Sequence, residues 1–113
     1  EDMIHILNKS SIGNTFGVYG YINGTIRNCC IYDQVVAEEK IEPLQEYLSK
    51  INKDIEAGYL FVNKSIGYVV FYIDYPIHDS MQSKDEENFI FFCRQSHDIF
   101  CRYRENLYDI IKN

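Results

Sequence analysis

Cys93, His97 and Cys101 are metal-ligating side chains set four residues apart in FCRQSHDIFCRY, residues 92–103. On a helix they form one ridge, projecting at about 0°, 40° and 80°. Each four-residue step climbs about 6 Å, so the two thiols stand roughly 12 Å apart, far beyond what zinc–sulfur bonds of about 2.3 Å can span. The ridge therefore reads as the edge of a buried helix face. We expect no metal and no cofactor.

The remaining reactive residues give no stronger constellation. Cys29 and Cys30 are neighbours, so on a strand they point to opposite faces. There is no CxxC, which removes the zinc-knuckle and thioredoxin-like readings. The imidazoles are His5, His78 and His97, without a spacing that implies convergence, and His78-Asp79-Ser80 are adjacent and cannot fold into a triad. GxSxG, HExxH and a glycine-rich phosphate loop are missing, so we expect no enzyme. Reduced cysteines in a cytoplasmic protein are the expected state. The alternative is a secreted domain with two disulfides and sugar on the sequons at Asn8, Asn23 and Asn63.

These residues need elements to position them. FGVYGYI-NG-TIRNCCIY, residues 16–32, is a hairpin whose Asn23-Gly24 turn accepts two positive φ angles. Pairing Ile22 with Thr25 places Phe16, Val18, Cys29 and Ile31 on one face, and Tyr19, Tyr21, Ile26, Cys30 and Tyr32 on the other. Both faces are fairly apolar, so the hairpin is expected inside a larger sheet, covered at least partly on each side. Gly17 and Gly20 mark a bulge or a close approach in the first strand. A second hairpin spans Tyr59–Tyr75, with NKSIG as its turn. The stretches LNKSSIG at 7–13 and VNKSIG at 62–67 form a faint repeat.

Between the hairpins lies a helix, with Pro43 in its first turn and Gly58 just past its end. Leu44, Tyr47, Leu48, Ile51 and Ile55 form its apolar stripe. The last helix covers about 85–112, with Ser83 as N-cap and Asp85, Glu86 and Glu87 favoured by the dipole in the first turn. Its apolar arc holds Phe89, Phe92, Cys93, Ser96, Phe100, Tyr103, Leu107, Ile110 and Ile111. Arg104 falls inside that arc. Its charge is expected to snorkel to the surface; the alternatives are an acid from the sheet or an exposed docking patch. The order is βββαββα: one α+β domain over 1–113, a mostly antiparallel sheet from two hairpins with two helices packed on it.

The formal charge of −6 opposes nucleic-acid binding. Acids concentrate in residues 33–58 and 74–98, each net −4. No apolar run approaches the roughly 20 residues needed to cross a bilayer. EDMIHILNKS lacks a basic region followed by an apolar one, so no signal peptide is expected.

In its length, its acidic stretches AEEKIE and KDEEN, and its order of hairpins and helices, the chain resembles the small acidic immunity proteins of bacterial toxin–immunity pairs, including contact-dependent growth inhibition systems. The resemblance implies a cytoplasmic, non-catalytic inhibitor that occludes the active site or substrate groove of a basic cognate toxin, often a nuclease. Glu38, Glu39, Glu42, Glu46, Asp79, Asp85, Glu86 and Glu87 are the expected electrostatic contacts. The protein itself is expected to be a monomer or weak dimer. A small enzyme or ligand-binding domain with a Tyr-lined pocket is a further alternative.

Overall fold

The computed structural model describes residues 3–22, 25–55, 57–76 and 82–113, with side chains for all of these except 3, 4, 21, 22, 75, 76, 82–86, 88, 89, 92, 93 and 96. The elements are β1 (Met3–Asn8), β2 (Thr15–Ile22), β3 (Thr25–Tyr32), α1 (Glu38–Asn52), β4 (Tyr59–Asn63), β5 (Tyr68–Pro76) and α2 (Gln82–Lys112). This is the expected α+β order. The five strands form one antiparallel sheet in the order β1-β2-β3-β5-β4. Ile22 pairs with Thr25 as expected, the Asn23-Gly24 turn itself lying outside the described residues, and pairing runs unbroken through Gly17 and Gly20. Gly17 is thus a close approach rather than a bulge: a Cβ there would meet the Tyr19 ring at 2.6 Å.

Alternation along β3 sends Ile26, Asn28, Cys30 and Tyr32 inward and leaves Arg27 exposed. The inward face also takes Leu60, Val62, Val69, Phe71 and Ile73 from β4 and β5. Leu44, Leu48 and Ile51 of α1 and Ile99, Phe100, Leu107 and Ile111 of α2 pack on it. Removing side chains such as Phe71 and Phe100 from water stabilises the fold by about 1.5–3 kcal/mol each. At 31 residues α2 is about 46 Å long, matching the 49 Å long axis of the molecule.

Both helices lie on this one face, so the expectation that the first hairpin is covered on both sides does not hold. The opposite face carries two apolar rows across all five strands, Leu7–Phe16–Ile31–Val70–Phe61 and His5–Val18–Cys29–Tyr72–Tyr59. Its apolarity reflects β-forming side chains packing laterally along the sheet: Val70 is 2% exposed there without a helix above it.

Three punctuation marks differ from expectation. Helix α1 starts at Glu38, so Pro43 is its sixth residue, not part of its first turn. The acids Glu38 and Glu39 occupy that turn, where the dipole favours them. The helix ends at Asn52, and Gly58 instead introduces β4 with φ 80°, its missing Cβ leaving room for the Phe71 ring 2.7 Å away. Helix α2 starts at Gln82, which makes Ser83 its second residue rather than its cap.

Helix α1 also protects the β4 edge. Asn52 accepts a hydrogen bond from Leu60 N–H at 2.7 Å and donates to Leu60 C=O at 2.8 Å, and Gln45 Oε1 accepts from Val62 N–H at 2.9 Å. These amides stand in for a further strand and satisfy backbone groups an open edge would expose. The repeat proves to be a pair of hairpin connections: Asn8 closes β1 and Asn63 closes β4, each followed by a turn with a positive-φ glycine, Gly13 and Gly67.

Candidate functional site

Of the eight carboxylates expected to meet a partner, Glu38, Glu39, Glu42 and Glu46 are exposed on α1. Glu38, Glu42 and Glu46 follow at four-residue steps and so form one row. Among the described residues only Glu46 of these makes an ion pair, with Lys50 at 3.8 Å, both side chains more than two-thirds exposed. Glu87 is exposed on α2. Asp85 and Glu86 are the fourth and fifth residues of α2, because the helix starts at Gln82 and they fall beyond the first turn in which they were expected; their side chains lie outside the described residues, as does Asp79 entirely.

The two acidic groups do not merge. Tyr47 of α1 accepts a hydrogen bond from Asn106 at 3.1 Å, while Asp54 and Ile55 beyond α1 share a cavity of about 480 Å³ with Phe91, Gln95, Ile99 and Arg102. The helices therefore run antiparallel. Glu46 sits at the level of Asn106, and Glu87 lies nineteen residues, or roughly 28 Å, along α2 from that point.

The helix ridge resolves differently from its reading in sequence. Cys93 lies outside the described side chains; Cys101 is exposed and its Sγ is 3.4 Å from His97 Nε2. No group of three or more His, Cys, Asp or Glu side chains able to hold a metal occurs among the described residues. His5 stands on the open sheet face, 5.4 Å from the Phe16 ring centroid, and His97 on the helical side, so the sheet separates them. His78-Asp79-Ser80 lies outside the described residues.

Of the neighbouring basic side chains of α2, Arg104 is buried toward the sheet, His97 is half-buried, and exposed Arg94 lines both the cleft over the first hairpin and the cavity beside Asp54 and Asp98. Arg104 is 7% exposed, so it does not snorkel, and no acid of the sheet meets it among the described residues. Its Nη2 donates to Asn8 Oδ1 at 3.2 Å and to Thr15 Oγ1 at 3.4 Å, and its Nε has no hydrogen bond. The reason is placement: the guanidinium reaches β1 and β2, whose inward polar residues here are Asn and Thr. Asn8 and Thr15 also line a cleft of about 280 Å³ with Ile6, Gly17, Tyr19, Cys30, Arg94 and His97. The cleft is the feature sequence reading missed. Only the position of Arg104 within an apolar arc signalled it.

Cys29 and Cys30 point to opposite faces as expected, Cys29 half-buried outside and Cys30 buried inside. Burial pushes the Cys30 thiol up to about 12, outweighing the lowering from a Thr15 hydrogen bond and the Arg104 charge. Burial also raises Tyr32 to about 12. The Tyr32 hydroxyl donates to Ile12 C=O and so anchors the loop between β1 and β2.

On the open sheet face Arg27 forms a two-pronged pair with Asp74, at 2.9 and 3.2 Å, and the Tyr72 hydroxyl donates to the same carboxylate at 3.0 Å. The Arg27 hydrogen bond lowers the Asp74 pKa, with burial opposing it. Tyr59 packs beside Tyr72 and Phe61, ring centroids 5.9 and 5.5 Å apart. Leu7, Phe16 and Tyr59 are 54%, 37% and 48% exposed there. No helix among the described residues is long and apolar enough to cross a membrane.

No protein-family model matches this chain, and neither a curated protein nor a solved structure matches it significantly.

Proposed function

We propose that the chain is a non-catalytic, cytoplasmic binding protein of the bacterial immunity type, which neutralises a basic toxin domain by covering its active site or substrate groove. The observation that carries the reading is the row Glu38–Glu42–Glu46 on α1, joined by Glu39 and exposed along its length. Carboxylates on a rigid helix, in a chain of net charge −6, attract a cationic partner and fix its orientation at little ordering cost. A nuclease suits such a row, because its own groove must be cationic to hold phosphates. Glu87 and its neighbours at the far end of α2 form a separate, secondary contact.

The test is co-purification at low salt from the source organism, followed by assay of the captured chain. The reading requires a basic partner at one-to-one whose toxic activity is suppressed on binding. Reversing Glu38, Glu39 and Glu42 to Lys should then slow association at least tenfold, with less effect at high salt. A partner bound equally well by that variant at every salt concentration would refute the role of the row.

A second reading rests on the open sheet face. Ten residues in two rows lie uncovered by either helix, and beside them the charges of Arg27 and Asp74 neutralise each other. Two copies of this face can stack as a sheet sandwich without like-charge repulsion. A weak dimer is the outcome this reading requires.

A further inference from the structure

We propose that the cleft between the first hairpin and α2 binds a small organic carboxylate, its apolar body against Ile6 and Tyr19 and its charged end toward Arg94, His97 and Asn8. Three observations on separate elements converge on it.

The first is Arg104. A guanidinium that is 7% exposed, held only by two neutral oxygens and with Nε unbonded, is a buried charge without a counterion among the described residues. Such a charge is costly unless an anion comes near it.

The second is the polarity that Arg104 imposes on its partners. Its Nη2 donates to Asn8 Oδ1, so the other end of that amide, Nδ2, is left as a donor. Thr15 Oγ1 accepts from the same nitrogen, and its own proton is taken up by the Cys30 sulfur. Both residues line the cleft. Arg104 thereby turns the ambivalent Asn8 amide into a donor toward the cleft.

The third is the composition of the cleft. Arg94 and His97 add two further donors from α2, and no Asp or Glu lines the cavity, although the chain has 17 of them. A lining that offers a guanidinium, an imidazole and an amide N–H and no carboxylate is complementary to an acceptor-only group such as a carboxylate. The remaining walls, Ile6, Gly17, Tyr19 and Cys30, are mainly apolar or aromatic, with one hydroxyl and one thiol between them, and suit an organic body better than the outer oxygens of a bare phosphate. At about 280 Å³ the cleft suits a ligand at the small end of the usual range.

The experiment titrates the intact protein with sodium benzoate, with its neutral isostere benzamide and with potassium phosphate, at matched ionic strength. Binding is followed by calorimetry and by the unfolding midpoint. Benzoate should bind and raise the midpoint, whereas benzamide and phosphate should do neither. Arg94→Gln and His97→Gln, both at incompletely buried positions, should each weaken benzoate about tenfold, the worth of one charge-assisted hydrogen bond. Arg104→Met should abolish the benzoate effect. If that variant fails to fold, the Arg94 and His97 variants decide. Equal responses to benzoate and benzamide, a preference for phosphate, no response to benzoate, or unchanged benzoate affinity in both of those variants would each overturn the assignment.

Discussion

Arg104 Nη2 lies 3.2 Å from Asn8 Oδ1, joining the last helix to the first strand across 96 residues of sequence. The bond fixes α2 against the β1–β2 hairpin with a buried charge rather than an apolar contact. Charges in that position are seldom net stabilising, because desolvation offsets what the bonds return. Arg104→Met keeps most of the stem volume and removes the charge, so its unfolding free energy should stay within about 1 kcal/mol of wild type or exceed it. Arg104→Ala leaves a void as well and should cost about 2 kcal/mol or more. Urea unfolding of the two variants separates the contribution of packing from that of the charge.

Asn52 satisfies both backbone groups of Leu60, and its loss leaves an N–H and a C=O of the β4 edge unpaired at once. Asn52→Ala should destabilise by about 1–3 kcal/mol. Asn52→Asp, which still accepts from Leu60 N–H but sets a carboxylate against Leu60 C=O, should also be destabilised. Faster hydrogen exchange at Leu60 and Val62 in both variants would place the damage at that edge.

Thiol chemistry should follow burial. Iodoacetamide should modify exposed Cys101 first, half-buried Cys29 more slowly and Cys30 only on unfolding, since burial holds its thiol near 12. The sign of the linkage follows from that value. A folded pKa above the unfolded 9.0 means the native state holds the proton more firmly, so the contribution is complete below pH 9 and is lost as pH rises toward 12. The loss amounts to roughly 3–4 kcal/mol over that window. Tyr32 acts in the same direction above pH 10. Unfolding at pH 8 and pH 11 should show a smaller drop in Cys30→Ala than in wild type, and equal drops would show that Cys30 is not the group responsible.

The sequence made the secondary structure legible where a local cause decides it. The register Ile22↔Thr25 is the one expected from a two-residue turn between the strands, and alternation separated Cys29 from Cys30. The stripe Leu44, Leu48 and Ile51 marked the buried side of α1. It was less legible where the cause is tertiary. Apolar residues on both faces of β2 and β3 read as double cover, yet both helix connections return to the Tyr32 side. Ile99 lay outside the expected arc of α2 but is 6% exposed, because that side of the helix turns toward Ile55 at the end of α1, a neighbour no local pattern reveals. Gly58 has the residue type of a helix stop, and only the nearness of Phe71 shows that it serves β4. Arg104 was visible as an anomaly, while Asn8 and Thr15 had nothing in their local sequence to mark them as its partners.

The positive-φ glycines should respond unequally to alanine. At Gly67, with φ 75°, a Cβ meets nothing nearer than 4.0 Å, so Gly67→Ala carries only the conformational cost of about 1–2 kcal/mol. At Gly58, with φ 80°, a Cβ would also lie 2.7 Å from the Phe71 ring and 2.8 Å from Tyr72 C=O. Neither neighbour yields easily, one being core and the other backbone. Gly58→Ala should therefore lose clearly more stability than Gly67→Ala in urea, and equal losses would mean that the strand start relaxes freely.

The open sheet face sets the last expectation. Leu7 and Phe16 are cross-strand neighbours at its β1–β2 end, 54% and 37% exposed, and Tyr59 is 48% exposed at its β4 end. Exposed apolar rows that span a whole sheet favour association, and a face with internally neutralised charge opposes it little. Light scattering behind gel filtration should show a monomer–dimer equilibrium that shifts toward dimer with concentration and with added salt, since screening weakens the repulsion between two chains of charge −6. Leu7→Lys with Phe16→Lys should hold the protein monomeric while leaving far-ultraviolet circular dichroism unchanged, because neither side chain belongs to the core. A wild type that stays monomeric at all concentrations and salt levels would remove the second copy as the occupant of this face and leave the acidic row of α1 as the surface through which the chain meets another protein.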